Sequence, residues 1–122
     1  MPPKPPDLGL EIHQADGVTV VRFTTAELAD ELKIWLVGDH LLGLMEGMDR
    51  PRFLLNFSGV YHFSSSMLGK LIVLHKKAAA AKGRLVLCAV APELFKVFEE
   101  TRLDQVLTFF PGEAEALQSL QA

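Results

Sequence analysis

The sequence predicts an α/β domain in which a mixed sheet is flanked by helices. Three observations support this fold class: two strand patterns open the chain, short apolar runs then alternate with helical patterns, and 49% of the 122 residues are hydrophobic. Alternating strands and helices are typical of parallel βα units, and an opening hairpin adds an antiparallel strand. We therefore expect the order β-β-α-β-α-β-α-β-α in a single domain at residues 8–122, after a disordered Pro-rich tail at residues 1–7.

The composition excludes several classes of function. The formal net charge is −3, so the chain has no positive field with which to hold nucleic acid. No apolar segment is long enough to span a membrane, and no charged start followed by an apolar stretch suggests a signal peptide. The single cysteine, Cys88, excludes an internal disulfide and suits a reducing compartment. These observations favour a cytoplasmic protein without membrane insertion.

The first two elements are predicted as a β-hairpin. Residues Leu8–Gln14 alternate between apolar and polar, which is typical of a half-buried strand, and an Asp-Gly pair follows as the turn. Residues Val18–Phe23 are rich in β-branched side chains and predict the second strand. Two interpretations stay open for the segment that follows: the strand continues through Thr25, or a helix begins at Ala26.

The remaining pattern alternates helices with apolar strands. The predicted helices are Glu31–Met48, Met67–Lys82, Pro92–Thr101 and Glu113–Leu120, and the predicted strands are Arg52–Phe57, Arg84–Val90 and Val106–Phe110. We expect the core face of the first of these helices to consist of Leu32, Trp35, Leu36, Leu42 and Met45. We expect that of the second to consist of Leu68, Leu71, Ile72, His75 and Ala79. Gly83 is expected at the left-handed position after the second helix.

Common catalytic and cofactor motifs are absent from the sequence. There is no glycine-rich phosphate loop, and the four histidines lie on different elements without metal-ligand spacing, so we expect neither a cofactor nor a metal. A small enzyme using Ser65 and His62 can be imagined, but the strained Gly-x-Ser-x-Gly turn is missing. Cys88 lies within an apolar strand and is expected to be a buried small hydrophobe. An enzyme is therefore the weaker class.

Three consecutive serines, Ser64–Ser66, stand at the expected start of the second helix, just after a buried strand. One serine there is ordinary, because its hydroxyl can cap a backbone N–H group. Three exceed what a cap requires. A phosphate at this position would meet free N–H groups and the positive end of the helix, which stabilise an anion.

The segment Phe63–Gly69 resembles the STAS domain of bacterial anti-sigma factor antagonists, which carries an Asp-Ser-Ser-Gly-Leu-Gly motif at the start of its second helix. The residues aligned with this motif are, in order, Ser64, Ser65, Ser66, Met67, Leu68 and Gly69. Ser65 thereby takes the place of the phosphoacceptor serine, while Ser64 and Met67 replace the motif aspartate and first glycine. Further likeness extends over residues 8–120: Asn56 stands where an aspartate is common, Ser58 and Val60 fit the loop, and Pro92–Phe98 looks like the third helix.

The resemblance implies a regulatory binding module that is a monomer or weak dimer. Its partner would be an anti-sigma factor that is also a serine kinase, and a PP2C-type phosphatase would reverse the phosphorylation of Ser65, with Ser64 and Ser66 as alternative sites. The residues expected to bind the partner are Ser58, Tyr61, His62, Phe63, Ser64, Ser66 and Met67. The alternative is a non-phosphorylated STAS scaffold subunit of a signalling or lipid-transport complex.

Overall fold

The computed structural model describes residues 8–121, so the tail expected at residues 1–7 lies outside the described residues. The strands are, in chain order, β1 (Leu10–Ala15), β2 (Val18–Phe23), β3 (Glu27–Leu28), β4 (Arg52–Asn56), β5 (His62–Phe63), β6 (Arg84–Cys88) and β7 (Thr108–Phe110). The helices are α1 (Glu31–Met45), α2 (Ser65–Ala80), α3 (Pro92–Glu100) and α4 (Glu113–Gln121), with a 3₁₀ turn at Leu103–Gln105.

Five strands form one sheet in the order β1-β2-β4-β6-β7. β1 and β2 are antiparallel, whereas β2–β4, β4–β6 and β6–β7 are parallel pairs. The hairpin turns at Asp16 and Gly17, whose φ angles of 51° and 82° are of the kind that a type I′ turn needs at both central positions. The predicted mixed sheet with flanking helices is confirmed.

Helices cover both faces of this sheet, unequally. Leu55 of β4 and Leu87 of β6 belong to a core cluster that also contains the buried side chains of α1, α2 and α3. Their neighbours Leu54 and Val86 point the other way and pack in a smaller cluster with α4. Three helices therefore share one face, and α4 alone covers the other.

A second, two-stranded sheet was not predicted from the sequence. β3 and β5 are parallel, with Glu27 opposite His62 and Leu28 opposite Phe63. Neither interpretation of the preceding segment is correct, because β2 ends at its predicted last residue and α1 does not begin until Glu31. These strands are too short to show an alternating pattern, so the sequence carries no signal for them.

The expected core face of α1 is wrong in part. The side chains of Leu32 and Trp35 are 67% and 54% exposed, whereas Met45 is buried as expected. The buried residues of α1 are Ile34, Val37, Gly38, Leu41 and Met45. The physical reason is that apolar residues surround nearly the whole helix, so its sequence does not define a single apolar stripe.

The expected core face of α2 is correct at Leu71 and in part at Leu68, which packs against the core cluster, but Ala79 is exposed. The residues of α2 that are buried are Met67, Leu71, Leu74 and Ala78. Leu68, Ile72 and His75 are only partly buried, because they lie to one side of the row that faces the sheet. The error follows from choosing Leu68 rather than Met67 as the first residue of the stripe.

Most element boundaries lie within a few residues of the predicted ones. α1 ends at Met45 rather than Met48, because Gly47 takes a left-handed φ of 82°. β6 stops before the predicted Val90, because Ala89 also has a positive φ. Among residues 8–121, no helix combines the length and the apolar character that a membrane span requires.

Candidate functional site

The serine cluster at the start of α2 is positioned by the small sheet. The backbone N–H of Tyr61 donates to the carbonyl of Ala26 at 2.8 Å, and that of Ser64 donates to the carbonyl of Leu28 at 3.0 Å. β3 leads into α1 and β5 leads into α2, so pairing the two strands places the N-termini of the two helices side by side. The position of the serines is therefore fixed by backbone hydrogen bonds rather than by side-chain packing alone.

Each serine has a different environment. Ser64 precedes the helix in an extended conformation, and its hydroxyl is buried, caps no backbone N–H and has no hydrogen-bond partner among the described residues. Ser66 donates its hydroxyl to Glu31 Oε2 at 2.6 Å. Ser65 is exposed, and its hydroxyl makes no hydrogen bond to another described residue. Only one hydroxyl of the three is thus both accessible and uncommitted.

Glu31 is a site residue that the sequence did not indicate. It lies in the first turn of α1, which begins there because the Asp30 side chain accepts a hydrogen bond from the backbone N–H of Lys33 at 3.1 Å. Its bond to Ser66 brings a carboxylate to the serine cluster, where Ser64 replaces the acidic residue of the motif. Nothing in the sequence pairs these positions, which are 35 residues apart.

The residues expected to contact a partner divide into two groups. Ser58, Tyr61 and His62 are exposed, and the Tyr61 side chain is 71% exposed. Phe63 and Met67, also expected to bind a partner, are buried, with exposures of 8% and 0%.

Phe63 is buried because its ring packs between two others. Its ring centroid lies 6.4 Å from that of Phe57 and 5.5 Å from that of Phe98. Met67 is buried in the same core cluster. Both side chains support the exposed surface from below.

A second polar cluster lies where β2, β4 and α4 meet. Arg22 donates from Nε and Nη2 to the two carboxylate oxygens of Glu113, at 2.7 and 2.8 Å. Asn56 donates from Nδ2 to Glu113 Oε1 at 2.9 Å and accepts the backbone N–H of Ser58 at 2.8 Å. The hydrogen bond from Arg22 lowers the pKa of Glu113 to about 2, against the opposing effect of partial burial.

Ser65 and His62, the pair that a small enzyme would use, are both on the surface. His62 is exposed and makes no hydrogen bond to Ser65 within residues 8–121, although nucleophilic catalysis needs that contact. Cys88 is fully buried as expected, and burial raises the pKa of its thiol to about 12. A thiol with this pKa stays protonated and unreactive near neutral pH.

A mostly parallel sheet opened by a hairpin and flanked by four helices matches the STAS fold. Residues 10–116 match the family model of the STAS domain, and the chain belongs to this family.

Solved structures agree on the fold. The chain is similar to an anti-sigma-factor antagonist (STAS) domain protein from Planctomyces limnophilus, with a TM-score of 0.84 and 24% identity over 93% of this chain and 98% of that one. It is similar to an anti-sigma factor antagonist from Mycobacterium paratuberculosis, with a TM-score of 0.79 and 21% identity over 93% of each chain. It is also similar to the Bacillus cell fate determinant SpoIIAA in its phosphorylated form, with a TM-score of 0.69 and 19% identity over 90% of this chain and 97% of that one.

Proposed function

We propose that this chain is a regulator of the anti-sigma factor antagonist type, switched by phosphorylation of Ser65. In its unmodified form it binds an anti-sigma factor that is also a serine kinase, and a PP2C-type phosphatase removes the phosphate. The observation that carries the proposal is the state of the three hydroxyls: Ser65 alone is exposed and free of hydrogen bonds to other described residues.

The environments of the other two serines support this choice. A kinase must bring the acceptor oxygen to its nucleotide, and the Ser64 hydroxyl is buried. The Ser66 hydroxyl is held by a 2.6 Å hydrogen bond to Glu31, which must break before the hydroxyl is free to turn towards a kinase. Phosphorylation at Ser65 needs neither step.

The effect of the phosphate follows from its charge. One phosphate adds about −1.5 to −2, which takes the formal net charge from −3 to about −5. Ser65 lies beside Ser66, whose hydroxyl already holds the Glu31 carboxylate, so the new charge meets an existing negative one. A partner seated on Ser58, Tyr61, and His62 would have to desolvate that phosphate, and its affinity would fall.

Phosphopeptide mass spectrometry of the protein purified from its own cells tests the acceptor. Trypsin cleaves after Arg52 and Lys70 and releases residues 53–70, which contain all three serines, so fragment ions are needed to separate them. We expect the phosphate on Ser65, its loss in the Ser65→Ala variant, and its retention in Ser66→Ala. A phosphate on Ser64 or Ser66 in the unaltered protein would contradict the assignment.

Partner binding tests the switch. The kinase that copurifies with the chain is expressed separately, and its affinity for three forms is measured by calorimetry. Ser65→Ala should bind like the unaltered chain, whereas Ser65→Asp should bind at least about tenfold more weakly. Equal affinities for the two variants would exclude a charge switch at this residue.

The second candidate function is a scaffold subunit of a signalling or lipid-transport complex. Serine in place of the motif acid at Ser64 favours it, because the local charge pattern then differs from that of phosphorylated relatives. A scaffold would show a stable high-order assembly by size-exclusion chromatography with light scattering. It would also carry no phosphate on the peptide 53–70.

A further inference from the structure

Two large apolar side chains of α1 face solvent. Leu32 is 67% exposed and Trp35 is 54% exposed, and the two lie one turn apart on α1. We call these two residues the α1 stripe. A tryptophan is a costly residue to leave in water and is among those most enriched at the centres of protein interfaces.

The α1 stripe lies next to the interface between α1 and α2, which we call the seam. Three side-chain contacts illustrate how the two helices meet there. Glu31 accepts the hydrogen bond from Ser66; the Lys70 side chain lies so close to Gly38 that a Cβ there would be 2.7 Å from Lys70 Cδ. Further along, Glu46 pairs with Lys77 at 3.9 Å. Trp35 is one turn from Glu31 and one turn from Gly38, so it lies on the side of α1 that turns towards α2.

Two acidic side chains border Trp35 on α1. Glu31 lies one turn before it and Asp39 one turn after it, and both are exposed. The lysine of α1, Lys33, is two residues from Trp35 and so lies on another side of the helix. Lys77 of α2 pairs with Glu46, and Lys70 of α2 extends its side chain across to Gly38. The apolar stripe therefore has an acidic border on its own helix.

This border distinguishes between possible occupants. A second copy of the chain related by a two-fold axis would bring two acidic borders together, and like charges facing each other cost binding free energy. A helix with an apolar face flanked by lysine or arginine would match both the stripe and its border. Charge complementarity thus favours a basic amphipathic helix.

We propose that the α1 stripe, with Glu31 and Asp39 beside it, is the docking surface for a basic amphipathic helix of the partner protein. The inference rests on the proposed function, because it assumes that the chain acts by binding another protein. It adds a second binding surface to that function. The acidic residues beside the stripe attract the basic helix of the partner, and this surface is separate from the phosphorylation site. Ser65→Asp adds negative charge and so does not weaken binding to the stripe.

Trp35 is the single tryptophan of the chain, so its fluorescence reports on this surface directly. The probe is a synthetic helical peptide of about 18 residues, with leucine on one face and lysine on its flanks. We expect saturable binding, a shift of the Trp35 emission to shorter wavelength and protection from acrylamide quenching. Two peptides serve as controls: one replaces the leucines by serine at the same charge, and one replaces the lysines by glutamate.

Variants of the chain locate the binding. By calorimetry, Leu32→Ser and Trp35→Ala should each weaken peptide binding by about tenfold, and Asp39→Asn by about threefold. Val106→Ser is the matched control, because Val106 is 49% exposed on a different segment. Circular dichroism checks that each variant is folded.

Three results would overturn the inference: equal binding of the leucine and serine peptides, equal weakening by Leu32→Ser and Val106→Ser, or a concentration-dependent emission shift without peptide. The last would show that a second copy covers Trp35. Intact peptide binding together with equal partner affinities of Ser65→Ala and Ser65→Asp would keep the docking surface and reject the proposed switch. Loss of peptide binding with a normal Ser65 switch would do the reverse.

Discussion

The side chain of Asn56 makes two hydrogen bonds with opposite roles. Its Nδ2 donates to Glu113 and its Oδ1 accepts the backbone N–H of Ser58. An aspartate is common at this position in the STAS family. It would still accept the backbone N–H of Ser58, but it would place a second negative charge beside Glu113. The amide therefore fits this chain because Glu113 arrives from α4, a contact between residues 57 positions apart that local sequence does not reveal.

The Glu113 cluster predicts a specific dependence of stability on pH. The pKa of Glu113 is lowered from 4.5 to about 2, first by its hydrogen bond from Arg22, so its stabilising effect is full above about pH 4.5 and is lost as the pH falls through about 2. Glu113→Gln should therefore lower the free energy of unfolding at neutral pH, and the difference from the unaltered chain should shrink between these two pH values. Urea denaturation at several pH values measures it; a difference that does not change with pH would contradict the assigned pKa.

At the scale of elements, the end of α2 shows why glycine is required at one position. The N–H of Lys82 donates to the carbonyl of Ala79 at 3.0 Å, and that of Gly83 to the carbonyl of Ala78 at 2.7 Å, which is a Schellman cap. The left-handed residue of this cap is Lys82, with a φ of 63°, so the expectation that Gly83 occupies it is wrong. Gly83 is needed because Pro51 lies against it.

Replacing Gly83 by alanine tests this close approach. A Cβ at Gly83 would overlap the carbonyl oxygen of Pro51, which accepts a hydrogen bond from the N–H of Arg84 at 2.8 Å. The backbone must shift, and we expect a loss of about 2–3 kcal/mol in the free energy of unfolding. Gly43→Ala is the control, because its Cβ position meets no atom within 4 Å beyond its chain neighbours and the nearby backbone of its own helix, and it should stabilise α1 by about 0.5–1 kcal/mol. Urea denaturation measures both; equal effects would contradict the argument.

The sequence predicted the elements that have a long pattern and missed those that depend on partners. The five strands of the main sheet and all four helices were predicted, because each carries its own periodicity or apolar run. β3 and β5 form because they pair with each other, and neither carries a pattern of its own that predicts a strand. For the candidate site, the motif located Ser65, but the burial of Phe63 and the contact of Glu31 with Ser66 depend on packing between distant segments.

At the scale of the whole molecule, the two faces of the sheet differ in how they are protected. One face is covered by α1, α2 and α3 around a large aromatic and aliphatic cluster. The other is covered by α4, whose buried residues are Ala116 and Leu120. Because few side chains hold α4 in place, its local opening should require less free energy than unfolding of the other face.

Cys88, the single cysteine of the chain, reports on that opening, because it is fully buried in the cluster beneath α4. Leu120→Ala removes packing from this face, whereas Leu74→Ala removes a buried leucine from the other, and each should cost about 2–5 kcal/mol. The urea concentration is chosen for each variant so that both have the same free energy of global unfolding. A disulfide reagent should then label Cys88 faster in Leu120→Ala, because α4 separates from the sheet without global unfolding. Labelling of the unfolded chains in guanidinium sets the intrinsic rate of the thiol. Equal labelling rates at matched stability would mean that α4 unfolds only together with the rest of the domain.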